Sequence, residues 1–211
     1  MKCIYIDTET TGLIPGKNEV VQLAYIIEIG GEVKEEGNIF LRPERPDTIE
    51  AEALAITGKT REELMTYPIR SEGYRKFVHV LGKYVDKYNK NDKFIWIGQC
   101  PDFDKQHIER LFKDLGDNYF GSWFDRRLCD LIALSWFMKM AGIFNPPDLK
   151  LTTVASTLGI QFEAHDALAD IKTTRAIIME FMNRISKDPQ RGHKGDKGDI
   201  KSDIDELVLP L

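Results

Sequence analysis

The 211-residue chain is predicted to fold as one α/β domain, a mixed β-sheet flanked by helices. Three observations carry this prediction. Apolar, β-branched segments come first in the chain, a Gly30-Gly31 turn signal separates two of them, and segments of helical period follow. The first three strands are expected to be antiparallel, and later strands are expected to join them in parallel.

The opening strands are read from alternation and composition. Cys3 to Asp7 places Ile4 and Ile6 on one face, and Val20 to Ile29 is almost entirely apolar, which is typical of a central strand. Val33 to Leu41 is the expected returning strand after the glycine turn. Together they predict a three-stranded meander.

The rest of the domain is predicted to be mainly helical, with one more short strand. Thr60 and Glu63 fit a helix-capping box, because Thr60 stands where an N-cap would and Glu63 three residues later. The buried strand is expected at Lys93 to Gly98. Helices are expected at Thr48–Ile56, Ser71–Tyr88, Asp104–Leu115, Arg127–Met140, Leu151–Leu158 and Ala167–Ile185.

The composition changes after Lys187. Residues 188–203 are rich in Gly, Lys and Asp and almost free of apolar side chains, so 188–211 is predicted to be a flexible tail on a domain of residues 1–187. The apolar stretch Leu207 to Leu211 could dock on the domain or on a partner such as a polymerase.

The bulk composition excludes several classes of protein. No apolar run approaches the roughly 20 residues of a membrane helix, and the N-terminus reaches Asp7 too early for a signal peptide, so a cytoplasmic location is expected by default. The formal net charge of −5 argues against a protein that coats nucleic acid, but it is compatible with an enzyme whose acidic residues bind cations.

The three cysteines indicate neither disulfides nor a zinc site. Cys3, Cys100 and Cys129 are an odd number and form no Cys-x-x-Cys pair. They are interpreted as buried or half-buried free thiols.

Asp7 and Glu9 are the first candidates for chemistry. Residues two apart on a strand point to the same face, and two neighbouring carboxylates repel each other unless a cation lies between them. Carboxylate oxygens suit magnesium or manganese. An isolated Asp-x-Glu is more often a solvated strand end, so the surrounding residues decide the interpretation.

Those surroundings resemble a known family. Ile6-Asp7-Thr8-Glu9-Thr10-Thr11-Gly12-Leu13 follows an apolar strand and is similar to the first motif of the DEDDh exonucleases, the DnaQ-like proofreading family of the ribonuclease H-like fold. In that family the Asp and Glu bind metal, the Thr that follows contacts the terminal nucleotide, and an apolar residue wedges against its base. The resemblance assigns the last two roles to Thr10 and Leu13.

The family's second motif is an Asp that follows a Phe after a short buried strand. Phe103-Asp104 matches it, and Asp102 is interpreted as a loop or capping residue. Gln99 and Cys100 stand where relatives commonly have His and Asn, which leaves the substrate contacts nearby open.

The third motif is the most specific of the three. His165-Asp-Ala-Leu-Ala-Asp170 matches His-x-Ala-x-x-Asp, the signature of the His-bearing branch. The three motifs occur in the family's order over residues 3–185. His79, His107 and His193 lie outside the motifs and receive no predicted role.

The resemblance implies a mechanism. Asp7, Glu9 and Asp170 would bind one Mg²⁺ or Mn²⁺, Asp7 would bridge to a second ion assisted by Asp104, and His165 would be the general base. The predicted activity is 3′→5′ exonucleolytic release of nucleoside 5′-monophosphates from a single-stranded DNA or RNA 3′ end.

Several alternatives stay open. A ribonuclease T-like RNA-trimming enzyme, a proofreading subunit bound to a polymerase or another replication or repair protein, and a non-catalytic nucleic-acid-binding domain would share these motifs. Oligomeric state is not predicted. Gly58-Lys59-Thr60 resembles the end of a phosphate-binding P-loop, but that loop needs glycine where Ala53 stands. Weak candidates for backbone phosphate contacts are Arg126, Arg127, Lys150, Lys172 and Arg175.

Overall fold

A computed structural model of the chain describes residues 1–161 and 166–187. Its centre is one five-stranded sheet in the order β3-β2-β1-β4-β5. The strands are β1 (Lys2–Thr10), β2 (Val20–Ile29), β3 (Glu32–Phe40), β4 (Phe94–Gly98) and β5 (Phe124–Asp130). The described helices are α1 (Ala51–Thr57), α2 (Arg61–Met65), α3 (Arg70–Tyr84), α4 (Pro101–Asp114), α5 (Leu131–Met140), α6 (Leu151–Thr157) and α7 (Ala167–Lys187), with short 3-10 turns at Pro46–Thr48 and Phe120–Ser122.

The sheet is mixed, as predicted. β1 pairs antiparallel with β2, and β2 pairs antiparallel with β3 across the Gly30-Gly31 turn, where both glycines have positive φ. β4 pairs in parallel with β1 and with β5. β1 therefore lies at the centre of the sheet, between an antiparallel and a parallel neighbour.

Helices cover both faces of the sheet. Ile4 and Ile6 of β1 face a core that includes residues of α3 and α4, such as Phe77 and Ile108. Cys3 and Tyr5 face the other core, which includes side chains of α5, α6 and α7. Alternate residues of one strand thus belong to opposite layers, which decides the layer toward which Asp7 and Glu9 point.

The prediction for Arg127 to Met140 was wrong in its first part. Phe124–Asp130 forms the edge strand β5, and the helix begins only at Leu131, with Asp130 accepting a capping hydrogen bond from the Ile132 N–H. The strand was missed because its middle carries two exposed arginines, as an edge strand can. The helix is also only partly buried, because Trp136 is half exposed.

Two smaller predictions also need correction. The helix expected to reach Tyr88 ends at Tyr84, and Tyr88 is exposed rather than part of the core. All three cysteines are free thiols, but Cys100 is exposed, while Cys3 is buried and Cys129 half-buried.

The capping box is confirmed, since the Thr60 hydroxyl accepts a hydrogen bond from the Glu63 N–H at 3.1 Å at the start of α2. None of the helices in residues 1–161 and 166–187 has the length and apolar character needed to cross a lipid bilayer.

Candidate active site

The first two carboxylates of the predicted site lie on β1. Asp7 and Glu9 alternate with Thr8 and so share the face of Tyr5, which is the layer of α7. A register shift between Glu9 and Thr10 interrupts the pairing with β2 immediately after the second carboxylate. Such irregularities re-aim side chains and are frequent beside active sites. Both carboxylates are only partly exposed.

Asp104 reaches the same region from the other layer. It lies in the first turn of α4 and is 3% exposed. Its Oδ1 accepts two hydrogen bonds from Thr8, from the backbone N–H at 2.9 Å and from the hydroxyl at 2.7 Å. These bonds fix Asp104 against β1 beside Asp7. Asp102 lies in the same turn but is exposed and accepts a hydrogen bond from Gln106.

The helix α4 begins at an unusual residue. Cys100 has φ of 52°, the one positive φ at a non-glycine residue in the part of the chain described, and its N–H donates to Asp130 Oδ1 at 3.2 Å. Gln99 donates to the Leu149 carbonyl at 2.9 Å. The two departures from the family pattern therefore make structural contacts that hold the start of α4.

Asp170 lies in the first turn of α7, on the same side of the sheet as Asp7 and Glu9. The start of this helix is organised by Asp166, whose Oδ1 accepts from the N–H groups of Leu168 and Ala169, each at 3.1 Å. Gln22 of β2 donates to the other oxygen of Asp166 at 3.1 Å. Asp166 thus ties the helix that carries Asp170 to the sheet.

Asp166 was not singled out from the sequence as a functional residue. The available signal was its place directly before a predicted helix, where Asp is a favoured N-cap. The structure adds that its charge acts on both β1 carboxylates, since it raises the pKa of Asp7 and of Glu9.

The electrostatics show that these acidic groups are close together. Burial, followed by the charges of Asp104, Asp170 and Glu9, raises the pKa of Asp7 well above its ordinary value. Burial and the charges of Asp170 and Asp166 raise the pKa of Glu9 to about 7.

Asp104 shares this environment. Burial raises its pKa to about 7, although the hydrogen bonds from Thr8 oppose the shift. Three neighbouring carboxylates with raised pKa values, Asp7, Glu9 and Asp104, are typical of a site that binds cations.

The donor set fits divalent metal ions. Carboxylate oxygens are hard ligands of the kind that magnesium and manganese prefer. Within the described residues no group of three or more His, Cys, Asp or Glu side chains is already arranged as a complete metal site.

A cleft of about 320 Å³ opens beside Glu9. Thr10 and Leu13, the two predicted substrate contacts, both line it, and Leu13 is 74% exposed at its mouth. Most of the remaining wall is apolar and comes from α1 and from Phe103, the residue before Asp104.

The loop that carries Leu13 is held in place by hydrogen bonds with the buried side chain of Asn18. Asn18 accepts from the Ile14 N–H at 2.9 Å and donates to the Thr11 and Thr48 carbonyls at 3.2 and 2.9 Å. A side chain on Gly12 would collide with Asn18, since its Cβ would come within 2.4 Å of the amide nitrogen. Glycine is therefore required at this position of the motif by packing.

His107 supports the loop from the α4 side, although no role was predicted for it. The ring is 2% exposed, stacks near Phe103 with centroids 4.4 Å apart, and places Nδ1 3.1 Å from the Phe103 carbonyl. Burial lowers its pKa, while the carbonyls of Phe103 and Gly12 oppose the shift. The sequence offered no signal for it beyond its position one turn after Phe103.

His165 lies outside the described residues, as do residues 188–211. Its role as general base and the nature of the tail therefore stay predictions.

Comparison with known proteins gives the family and the fold. A family model described as "Exonuclease", of the RNase T type, matches residues 4–178. The PolC-type DNA polymerase III of Thermotoga maritima is 24% identical over 185 residues, which is 87% of this chain and 12% of that protein. The chain therefore spans about an eighth of the length of this relative.

Solved structures show the same fold. Exonuclease I of E. coli in complex with a dA16 oligonucleotide aligns with a TM-score of 0.71 and 20% identity, over 87% of this chain and 41% of that chain. A zinc-bound form of E. coli exonuclease I with single-stranded DNA aligns with a TM-score of 0.70 and 20% identity, over 88% of this chain and 41% of that one.

The match to the family model covers well over half of the chain. The protein therefore belongs to the RNase T exonuclease family, the DEDD group of nucleases.

Proposed function

We propose that the protein is a divalent-metal-dependent 3′→5′ exonuclease that releases nucleoside 5′-monophosphates from single-stranded DNA ends. The observation that carries the proposal is the convergence of Asp7, Glu9, Asp104 and Asp170 beside a cleft, where burial and neighbouring carboxylates raise the pKa of Asp7 and Glu9 and burial raises that of Asp104. A cluster whose members oppose one another's ionisation is costly to the fold, and binding of divalent cations offsets that cost.

The four carboxylates would hold the ions. Bound there, Mg²⁺ or Mn²⁺ would supply Lewis-acid activation of water and neutralisation of charge on the phosphodiester. Thr8 keeps Asp104 in place through two hydrogen bonds, and Asp166 keeps the first turn of α7 against β2. His165 accepts the proton of the attacking water, a role for which a pKa of about 6.5 suits histidine near neutral pH.

The cleft favours a single terminal nucleotide. Its volume of about 320 Å³ lies at the lower end of the roughly 300–1,000 Å³ typical of small-molecule sites. Leu13 and Phe103 offer apolar surface for a base, and apolar contact does not distinguish one base from another. The enzyme is therefore expected to remove all four nucleotides.

DNA is proposed as the substrate in preference to RNA because similar proteins act on or bind DNA. One is a DNA polymerase and another was solved with a DNA oligonucleotide. The same relatives favour polymerase-associated proofreading as the second candidate function, since this chain corresponds to 12% of a PolC-type polymerase.

An end-labelled digestion panel tests the proposal. Single- and double-stranded DNA and RNA, labelled at either end, are incubated with Mg²⁺, Mn²⁺ or chelator. The expected result is metal-dependent release of mononucleotides from the 3′ end of single-stranded DNA. Release from 5′ ends would reverse the polarity, a preference for RNA would support the RNA-trimming alternative, and no release with any metal would leave only a binding domain.

Substitution of the proposed base separates chemistry from binding. His165→Ala is expected to lower kcat by about 10²- to 10⁴-fold, the usual contribution of general acid–base catalysis, with substrate binding largely kept. His79→Ala, at a histidine outside the motifs, is the control. Equal kcat for the two variants would remove His165 from the mechanism.

A further inference from the structure

A basic groove lies along the β5 edge of the sheet. Two adjoining cavities of about 570 and 610 Å³ open there, each larger than the cleft beside Glu9. Both are lined by residues of the segment before β4 and of β5. Together they form one surface, called the edge groove below, whose cationic lining side chains are Lys2, Lys90, Lys93, Arg126 and Arg127.

The two carboxylates that line the edge groove are paired within it. Asp92 accepts a hydrogen bond from the Lys2 ammonium. Asp125 accepts from Nε and Nη2 of Arg127, at 2.9 and 2.8 Å. Two of the five cations are therefore matched by carboxylates of the groove itself.

The other three cations give the edge groove an excess of positive charge. Lys90 and Arg126 are exposed, and neither forms an ion pair with a carboxylate of residues 1–161 or 166–187. The Lys93 ammonium donates to the Gly121 carbonyl, which is a neutral acceptor. The formal net charge of the whole chain is −5, so this concentration of cations is local.

The pairing of the strands gives the position of the edge groove relative to the carboxylates. Leu128 of β5 pairs with Trp96 of β4, which pairs with Ile4 of β1. Arg127, one residue earlier, therefore lies two strands away from β1 and four residues below the level of Asp7. At 3.3 Å per residue along a strand and 4.8 Å between strands, the Cα atoms of Arg127 and Asp7 are about 16 Å apart.

Lys105 extends the positive charge toward the catalytic carboxylates. It follows Asp104 on α4, and its ammonium donates to the Arg126 carbonyl at 3.3 Å. Cationic side chains thus run from the helix that carries Asp104 to the edge groove.

A nucleic-acid strand fits the edge groove better than a single small anion does. The cations are spread over two cavities, and the phosphates of a strand are likewise spread along its length. A strand whose end occupies the cleft is already held there, so its other phosphates reach the groove at a high effective concentration. Contacts with exposed cations then add affinity, because each one releases counterions from the strand.

We propose that the edge groove binds backbone phosphates of the strand whose 3′ end occupies the cleft, upstream of the nucleotide that is removed. This inference rests on the proposed nuclease function and adds a second substrate-binding surface outside the three motifs. Phosphate contacts do not read bases, so the groove should act on all sequences alike. It should act only on strands that reach from the cleft to the groove, which takes about five nucleotides at a stacked rise of 3.4 Å and fewer in an extended strand.

Binding without catalysis is the first test. The full chain is titrated in chelator against a 5′-fluorescein oligothymidylate of about 20 nucleotides, and fluorescence anisotropy gives Kd at several salt concentrations. The double variant Lys90→Gln/Arg126→Gln is expected to raise Kd about 10- to 30-fold near 0.1 M salt. The slope of log Kd against log salt should become shallower by about 1.4, the value for two lost phosphate contacts on a single strand. Lys90→Arg/Arg126→Lys keeps both charges and should bind like the wild type.

Lys76→Gln/Lys113→Gln is the matched control, because both lysines are exposed on α3 and α4 and neither lines the edge groove or the cleft. It removes the same charge and should leave Kd and the salt slope near wild type. If the groove variant and the control bind alike, or if the wild type does not bind, the proposal is overturned. Loss of binding to a polyglutamate peptide with DNA binding unchanged would assign the groove to an acidic protein and would overturn it as well.

Cutting in Mn²⁺ then separates this inference from the proposed function. In the groove variant, kcat/KM on the long oligonucleotide should fall about as much as binding does. On a thymidine dinucleotide it should stay at the wild-type value, because the single phosphodiester is the bond that is cut and no other reaches the groove. An equal fall on both substrates would overturn the edge groove. If the wild type cuts neither substrate while the groove variant still loses binding, the proposed function fails and the groove remains a nucleic-acid-binding surface.

Discussion

Two buried acidic regions of the molecule are built in opposite ways. Glu19, whose side chain is fully buried, pairs with Arg70 at 3.1 Å, and Arg70 also bonds Asp114 at 2.9 Å. Burial raises the pKa of Asp114, but hydrogen bonds and charge from Arg70 and Arg110 outweigh it and leave the pKa below its ordinary value. The second region, called the β1 cluster below, comprises Asp7 and Glu9 of β1 with Asp104 of α4 and Asp170 of α7, and here the pKa of Asp7 is raised instead.

The difference shows which of the two regions has its carboxylates paired with cationic side chains of the protein and which requires a bound cation. The arginine-paired region joins the start of β2 to α3 and α4, and each of its buried carboxylates lies against an arginine. In the β1 cluster, the charges of Asp170 and Asp166 raise the pKa of Glu9, and the charge of Lys59 lowers it only in part. Removing one partner from the first region is therefore expected to destabilise the fold, whereas the like charges of the second region lower its stability until a cation is supplied.

Removing the arginine should have the largest effect on stability. Arg70→Met leaves the buried Glu19 carboxylate with Arg45 alone, whose Nη2 is 3.4 Å from Oε1 and whose backbone N–H donates to Oε2 at 2.7 Å. Breaking a buried pair costs about 3–5 kcal/mol in the free energy of unfolding, and we expect a loss toward the lower end of that range because Arg45 remains. Urea unfolding in the presence of chelator measures it. Arg110→Met is the control, since Arg110 is 48% exposed and should cost less than about 1 kcal/mol. Equal losses would erase the contrast between buried and exposed pairs.

Removing a charge from the β1 cluster should increase, rather than decrease, the free energy of unfolding. The pKa of Glu9 is about 7 in the folded state and 4.5 ordinarily. Ionised Glu9 therefore destabilises the fold fully above pH 7. The destabilisation decreases as the pH falls from 7 to 4.5 and is absent below 4.5, where Glu9 is protonated in both states. In chelator, Glu9→Gln should therefore raise the free energy of unfolding by roughly 1–3 kcal/mol at pH 8 and leave it unchanged at pH 4.

The control for this pH profile is Glu62→Gln, at an exposed position of α2. It should show no such dependence on pH. A Glu9→Gln variant that is less stable than wild type at pH 8 would mean that the cluster is not strained in the absence of metal.

The hydroxyl of Thr8 offers a finer test. Thr8→Val removes one of the two hydrogen bonds to Asp104 and keeps the backbone bond. Partners that orient metal ligands are typically worth 10- to 100-fold in metal affinity or activity, so a loss of about that size is expected in the Mn²⁺ dependence of cutting. Full activity at the wild-type Mn²⁺ concentration would show that Asp104 needs no such support.

Much of the fold could be predicted because the pattern of side chains is local. Val20 to Ile29 is almost entirely apolar, as expected for a central strand with both faces buried, and the Gly30-Gly31 turn predicts that β3 runs back antiparallel to it. β5 could not be found in the same way. Its arginines face solvent at the edge of the sheet, and only pairing with β4 makes the segment a strand.

The sequence predicted which carboxylates belong to the site, but not how strongly they affect one another's ionisation. Motif order identified Asp7, Glu9, Asp104 and Asp170, yet their mutual effect depends on how α4 and α7 pack on β1. Asp166 and Lys59 act on the cluster only through that packing. Residue type alone gave no reason to choose them over other charged groups.

The central claim is that the β1 cluster is completed by divalent ions. Thermal unfolding of the wild type and of Asp170→Asn, each with and without Mn²⁺, tests it most directly. The wild type should gain stability with Mn²⁺, by about 2.7 kcal/mol at 100 times the dissociation constant, and the variant should gain much less at the same concentration. An equal gain in both proteins, or none in the wild type, would contradict the claim.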